Sequence, residues 1–187
     1  MKEPGKDKNR GMFIPAISNA AIISVALIIL SLGFYLAQET QSRLETYIGY
    51  AIFLGGLIYS IKIYRDEDLG GSISYKQSLG HSVLVGLFTG IITGIFAFIL
   101  YGYIAPDLLV QLKDKTIMAT ESRLLQANPN ISDNELDTII NVQLWFLKPG
   151  IMMIATMVGM TFQGLVMGLV VSIFMKKKPR ENQAEEI

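Results

Sequence analysis

The sequence predicts an all-α integral membrane protein, a four-helix bundle with an extracytoplasmic helical hairpin between the third and fourth helices. Three observations predict it. Gly11 to Gln38, Thr46 to Ile61, Gln77 to Pro106 and Pro149 to Met175 contain no Asp, Glu, Lys or Arg. Roughly 20 apolar helical residues cross the hydrocarbon core of a bilayer, and three of these stretches exceed that length. Hydrophobic residues make up 51% of the chain and charged residues only 17%. The charges collect in tails and loops instead of recurring along amphipathic faces, as they would in a soluble domain.

The expected organisation is a cytoplasmic tail over residues 1–11, one four-span membrane domain over 12–175 and a second cytoplasmic tail over 176–187. The first span, about 12–37, is too long for a secretory h-region. Tyr35 stands where a small residue should precede Ala37 in a cleavage site, so the segment reads as an uncleaved anchor. The second span, about 46–64, is completed by Lys62, whose aliphatic stem lets its ammonium snorkel outward and brings Ile63 and Tyr64 into the membrane.

A loop follows, with Gly70-Gly71 as its turn. Ser74 and Gln77 then have the capping-box spacing that starts the third span, about 77–105. Asp66, Glu67 and Asp68 lack the glycine and ligand spacing of a calcium loop and read as a solvated charge run beside Arg65.

Residues 106–148 form the outer helical segment. Pro106 suits a first helical position, and Leu108, Leu109, Leu112, Ile117, Leu124 and Leu125 recur at a roughly helical spacing until Asn128-Pro129-Asn130 interrupts them. A second helix starts at Ser132, which can cap Glu135 while Glu135 returns to Ser132. Ile131 can staple onto Leu136. The pair reads as a lid over the outer span ends, or alternatively as a surface for a partner or for lipid. The fourth span occupies about 149–175.

Charge sets the orientation. Lys2, Lys6, Lys8 and Arg10 precede the first span, Lys62, Arg65 and Lys76 lie between the second and third, and Lys176, Lys177, Lys178 and Arg180 follow the fourth. The opposite side holds only Arg43, Lys113, Lys115, Arg123 and Lys148. The positive-inside rule puts both termini in the cytoplasm. Tyr35, Tyr47, Tyr101, Tyr103 and Trp145 then fall at the outer interface, and Phe13, Tyr64 and Tyr75 at the inner one.

Within the spans the sharpest pattern is Ser78, Ser82, Gly86, Gly90 and Gly94, a glycine-zipper face with a period of four. Lipid tails solvate leucine as well as another helix does, so membrane helices associate through close backbone approach at such faces. Shorter runs are Ala16, Ala20 and Ser24, then Gly56 and Ser60, then Gly164, Gly168 and Ser172. Packing within the bundle is the simpler reading, and a homo-oligomer whose glycines line or gate a pore is the other. Asn19, His81, Thr89, Thr93, Thr156, Thr161 and Gln163 are the intramembrane polar residues, expected to act as interhelical glue. Gln163 in particular is expected to face inward and pair with another helix.

No chemistry is signalled. Coupled transport usually needs an intramembrane carboxylate, and none lies in the four cores. Intramembrane hydrolysis needs a nucleophile with a base or paired aspartates; His81, the single histidine, is expected to be remote from any likely serine partner, and no span contains an Asp. With zero cysteines and one histidine, a metal centre lacks ligands. No phosphate loop or nucleophile elbow is present, and no cofactor is implied. Net charge is zero, so nothing suggests nucleic acid as a partner.

Tyr64-Arg65-Asp66 leaving the second span, Gly70-Gly71-Ser72-Ile73-Ser74-Tyr75 leading into the third, and Pro106-Asp107 opening the long segment before the fourth together resemble the bacterial membrane family catalogued as domain of unknown function 4199. The resemblance covers about residues 12–176. It implies a Gram-negative inner membrane location and carries over no activity. The expected role is a non-enzymatic structural or accessory subunit whose partners are the lipid bilayer and either further copies or another membrane protein. The alternatives are a homo-oligomeric channel or passive transporter, and a sensor with a ligand- or lipid-binding outer hairpin.

Overall fold

The computed structural model describes residues 11–37 and 42–177. Lys2, Lys6, Lys8, Arg10, Lys178 and Arg180 lie outside the described residues. Six α-helices follow in order: α1 (Phe13–Leu36), α2 (Arg43–Ile63), α3 (Tyr75–Ile99), α4 (Pro106–Ala127), α5 (Asp133–Phe146) and α6 (Pro149–Met175). The helices α1, α2, α3 and α6 are long and apolar enough to cross a membrane.

Local chemistry sets the boundaries. The Ser42 hydroxyl accepts from the Glu45 amide at 3.1 Å and starts α2. Ahead of α3, the Ser74 amide donates to Gln77 Oε1 at 3.0 Å while the Gln77 amide donates to Ser74 Oγ at 3.3 Å, the expected capping box. Ser132 and Glu135 form the same reciprocal pair at α5. Pro106 and Pro149 open α4 and α6, where a missing amide proton costs nothing. The turn before α3 needs left-handed backbone at Gly70 (φ 65°) and Gly71 (φ 89°), which glycine adopts without a Cβ clash.

Tyr64, expected to end the second span, and residues 65–68, expected as loop, instead continue α2 as a π-helical turn, closed by the Leu69 amide on the Tyr64 carbonyl at 3.1 Å. The end of α3 widens similarly over Leu100–Ile104, where the Ala105 amide reaches the Leu100 carbonyl at 2.8 Å. Both are hydrogen bonds five residues apart, the mark of a π-bulge.

The described residues form two compact units, one taking those up to Thr93 and from Met157 to Lys177, the other Gly94–Thr156. The first contains α1, α2, most of α3 and most of α6. Ile23 of α1 fills the space over Gly56 of α2, α2 meets α3 at Ser60 and His81, and α3 meets α6 along its glycines. An antiparallel bridge between Ile73 and Lys177, with both backbone bonds at 3.0 Å, ties the loop before α3 to the end of α6.

Burial in this unit is inverted relative to a water-soluble protein. Ser24, Ser60, Ser78, His81, Ser82, Thr89 and Ser172 are wholly buried, whereas Ile22, Val25 and Ile29 of α1 and Phe162, Val170 and Phe174 of α6 are exposed. Phe53, Leu57, Ile61 and Val85 are wholly buried beside these small polar residues, and large apolar residues left on the outside suit a bundle solvated by lipid tails, where helices cohere by close approach and internal hydrogen bonds.

The second unit holds the end of α3, α4, α5 and the first turns of α6. Here α4 and α5 pack on each other, and Thr120 Oγ1 donates to Gln143 Oε1 across the pair at 2.6 Å.

Candidate functional site: the polar and glycine-lined helix contacts

The α3–α6 contact is built from residues that lack bulk. A Cβ placed on Gly86 would lie 2.5 Å from the Met160 carbonyl oxygen and 3.1 Å from the Gly164 Cα. On Gly164 it would meet the Ser82 carbonyl oxygen at 2.6 Å, and on Gly90 the Met157 Cα at 2.8 Å. Gly168 packs on the Ser82 side chain, 2.6 Å from the same hypothetical atom. In the second unit, a Cβ on Gly94 would come within 2.9 Å of the Met153 carbonyl oxygen. Ser82, Gly86, Gly90, Gly94, Gly164 and Gly168 are therefore in close contact within one chain.

Serines finish this seam. Ser172 Oγ donates to Ser78 Oγ at 2.8 Å, joining α6 to α3, and Ser82 Oγ donates to the Ser78 carbonyl at 2.9 Å. Such short hydroxyl side chains let the backbones stay close while satisfying their own polar atoms.

The second polar centre lies between α2 and α3. His81 is fully buried, its Nε2 is 2.8 Å from Ser60 Oγ, and its ring stacks on Tyr64 with centroids 4.4 Å apart and planes 5° from parallel. This corrects the expectation that the histidine is remote from a serine. The two residues are 21 apart in sequence, and the α2–α3 turn folds them together.

A Ser–His pair is two-thirds of a nucleophilic triad, so its geometry matters. No hydrogen-bond partner meets His81 Nδ1, where a triad would place its orienting carboxylate. Ser60 is wholly buried, so Oγ is closed to a substrate carbonyl in this conformation. What the pair does here is link two helices through a polar contact, with the Tyr64 ring fixing the imidazole plane.

Most of the remaining intramembrane polar residues bond within their own helix instead of acting as interhelical glue, while the buried Thr89 Oγ1 meets no hydrogen-bond partner among the described residues. Asn19 Nδ2 donates to the Pro15 carbonyl at 2.9 Å, within its own helix. Thr93, Thr156 and Thr161 donate to carbonyls four residues back. Gln163 does face other helices, in a groove shared with Leu27, Leu30, Gly49 and Tyr50, but its amide contacts Met167 Sδ of its own helix at 3.9 Å. The reason is geometric. In a helix the i−4 carbonyl is always within reach of a short polar side chain, whereas an interhelical partner must be supplied by the fold.

Sequence reasoning placed Tyr64 in the interfacial aromatic belt and missed its stacking on His81. The four-residue spacing of Ser60 and Tyr64 on one helix face was the available signal. Near the same helix end, Arg65 clamps Asp66 through Nε at 2.7 Å and Nη2 at 3.0 Å. Among the described residues no group of His, Cys, Asp and Glu is arranged to hold a metal ion.

The family model described as "Protein of unknown function (DUF4199)" matches residues 18–177. No curated protein and no solved structure matches the chain. The family model spans nearly all of the sequence, and the chain belongs to this family.

Proposed function

We propose that this member of the DUF4199 family is a non-enzymatic, multi-pass protein of the bacterial inner membrane, with both termini cytoplasmic, serving as a structural or accessory subunit of a membrane assembly. The observation that carries the reading is the sealing of the α3 small-residue face by α6 of the same chain, Gly86 against Gly164. A helix that spends its glycines on an internal seam forms a closed, self-sufficient bundle. Its outward residues, such as Phe162, Val170 and Phe174, are then left for lipid or for another membrane protein.

The placement of the same basic residues is consistent with the proposed orientation. The Ile73–Lys177 bridge brings the segment between α2 and α3, flanked by Lys62 and Lys76, together with Lys176 and Lys177 at the end of α6, so these lysines share one end of the first unit. Positive charge gathered at one end is the arrangement that the positive-inside rule assigns to the cytoplasm.

The experiment is reconstitution of the purified protein into liposomes, together with native mass spectrometry of the tagged protein extracted gently from its own membrane. The expected outcome is no solute flux and a complex of fixed stoichiometry with a second protein. Reproducible conductance from the purified chain would overturn the reading in favour of a channel.

A further inference from the structure

The exposed surface of α5 changes character along its length. Its first turns present Asp133, Asn134, Glu135 and Asp137 to solvent. Further along, Val142, Trp145 and Phe146, each about half exposed, line a shallow hollow of about 560 Å³ together with the exposed polar residues Thr138 and Asn141. Ile140, by contrast, is buried, and Gln143 bonds to Thr120 of α4. The helix thus has a packing face turned toward α4 and a separate apolar stripe that the chain leaves uncovered at one end only.

That end is the one joined to the membrane. Phe146 closes α5, and Pro149 opens α6, a helix long and apolar enough to span a bilayer. The intervening Lys148 is exposed. Only Leu147 and Lys148 separate the stripe from that helix, which puts it within reach of the boundary where acyl chains give way to headgroups if the helix spans a bilayer. An aromatic pair with a lysine beside it is the side-chain set that this boundary favours: the rings bury, and the ammonium snorkels to phosphate.

We propose that the C-terminal half of α5 is an interfacial membrane wedge, in which Val142, Trp145 and Phe146 insert among lipid acyl chains while the acidic N-terminal half stands in water. The occupant of the hollow is lipid. Continuity with the α6 span and the axial gradient from acidic to aromatic select it over a second copy of the chain, which would not require the stripe to stop where the membrane does.

Trp145 is the single tryptophan, so intrinsic fluorescence of the full-length protein in liposomes reads this position alone. The expected result is strong loss of emission when the vesicles contain lipid brominated high on its acyl chains. Lipid brominated near the chain ends should quench less, and aqueous iodide little, as befits a ring buried about 5–10 Å into the headgroup and acyl boundary. Quenching by iodide without quenching by brominated lipid would overturn the proposal, as would protection from both, which would mean that protein covers the stripe. A second protein, Trp145→Phe with Asn134→Trp, should be quenched by iodide and not by brominated lipid. Equal lipid quenching at both positions would contradict insertion by the C-terminal half alone.

Discussion

Gly86 of α3 and Gly164 of α6 meet backbone to backbone, each occupying the space that a methyl group on the other would need: a Cβ on Gly86 would sit 3.1 Å from the Gly164 Cα, and one on Gly164 would sit 3.0 Å from the Gly86 Cα. Neither neighbour is a flexible side chain that could swing aside. The separation of the two helices is therefore set by the absence of these two side chains, and the buried Ser78–Ser172 contact further along the seam depends on that separation.

Gly86→Ala should destabilise the bundle by about 1–3 kcal/mol, the usual cost of forcing an extra carbon into a filled contact. Gly33→Ala is the matched control, since nothing lies within 4 Å of a Cβ there. Thermal unfolding in detergent compares them. A lowered midpoint for the first and an unchanged one for the second are expected, and equal behaviour would mean that the seam is looser than described.

The Ser60–His81 contact predicts a compensation. Ser60→Ala leaves a buried imidazole nitrogen unpaired and should cost about 1–3 kcal/mol. Adding His81→Phe removes the stranded nitrogens and keeps a ring to stack on Tyr64, so the double variant should be more stable than Ser60→Ala alone. Simple addition of the two losses in the same unfolding assay would contradict the assignment.

Thr120→Val keeps shape and deletes the hydroxyl that reaches Gln143. A loss of about 1 kcal/mol should appear as roughly fivefold faster amide exchange across residues 133–146. Exchange around His81, which lies in the other unit, should not change. Uniform acceleration through the whole chain would show that the bond stabilises more than the α4–α5 pair.

Sequence reading succeeded where the physics is local. The spans were legible because an absence of charge over such lengths has one good solvent. The caps at Ser74 and Ser132 were legible because donor and acceptor lie three residues apart. The small-residue face of α3 was visible as a period of four, but its partner was not. The Ser78–Ser172 bond joins residues 94 apart and the Ser60–His81 bond residues 21 apart, so neither leaves a mark in any sequence window. Residues 65–68 of the π-helical turn read as loop because their charges suggested solvent. A shift from four-residue to five-residue hydrogen bonding does not alter composition.

The central claim is that the α3 small-residue face is sealed by α6 of the same chain, and a designed cross-link tests it most directly. The chain has no cysteine, so Ser78→Cys with Ser172→Cys introduces the only thiols, at positions whose hydroxyls already lie 2.8 Å apart. The account predicts that mild oxidation in native membranes gives a disulfide within one chain, seen as a monomer on non-reducing gels with free thiol lost from both positions. Oxidation that instead yields covalent dimers, or that leaves both thiols free while the protein remains folded, would contradict it.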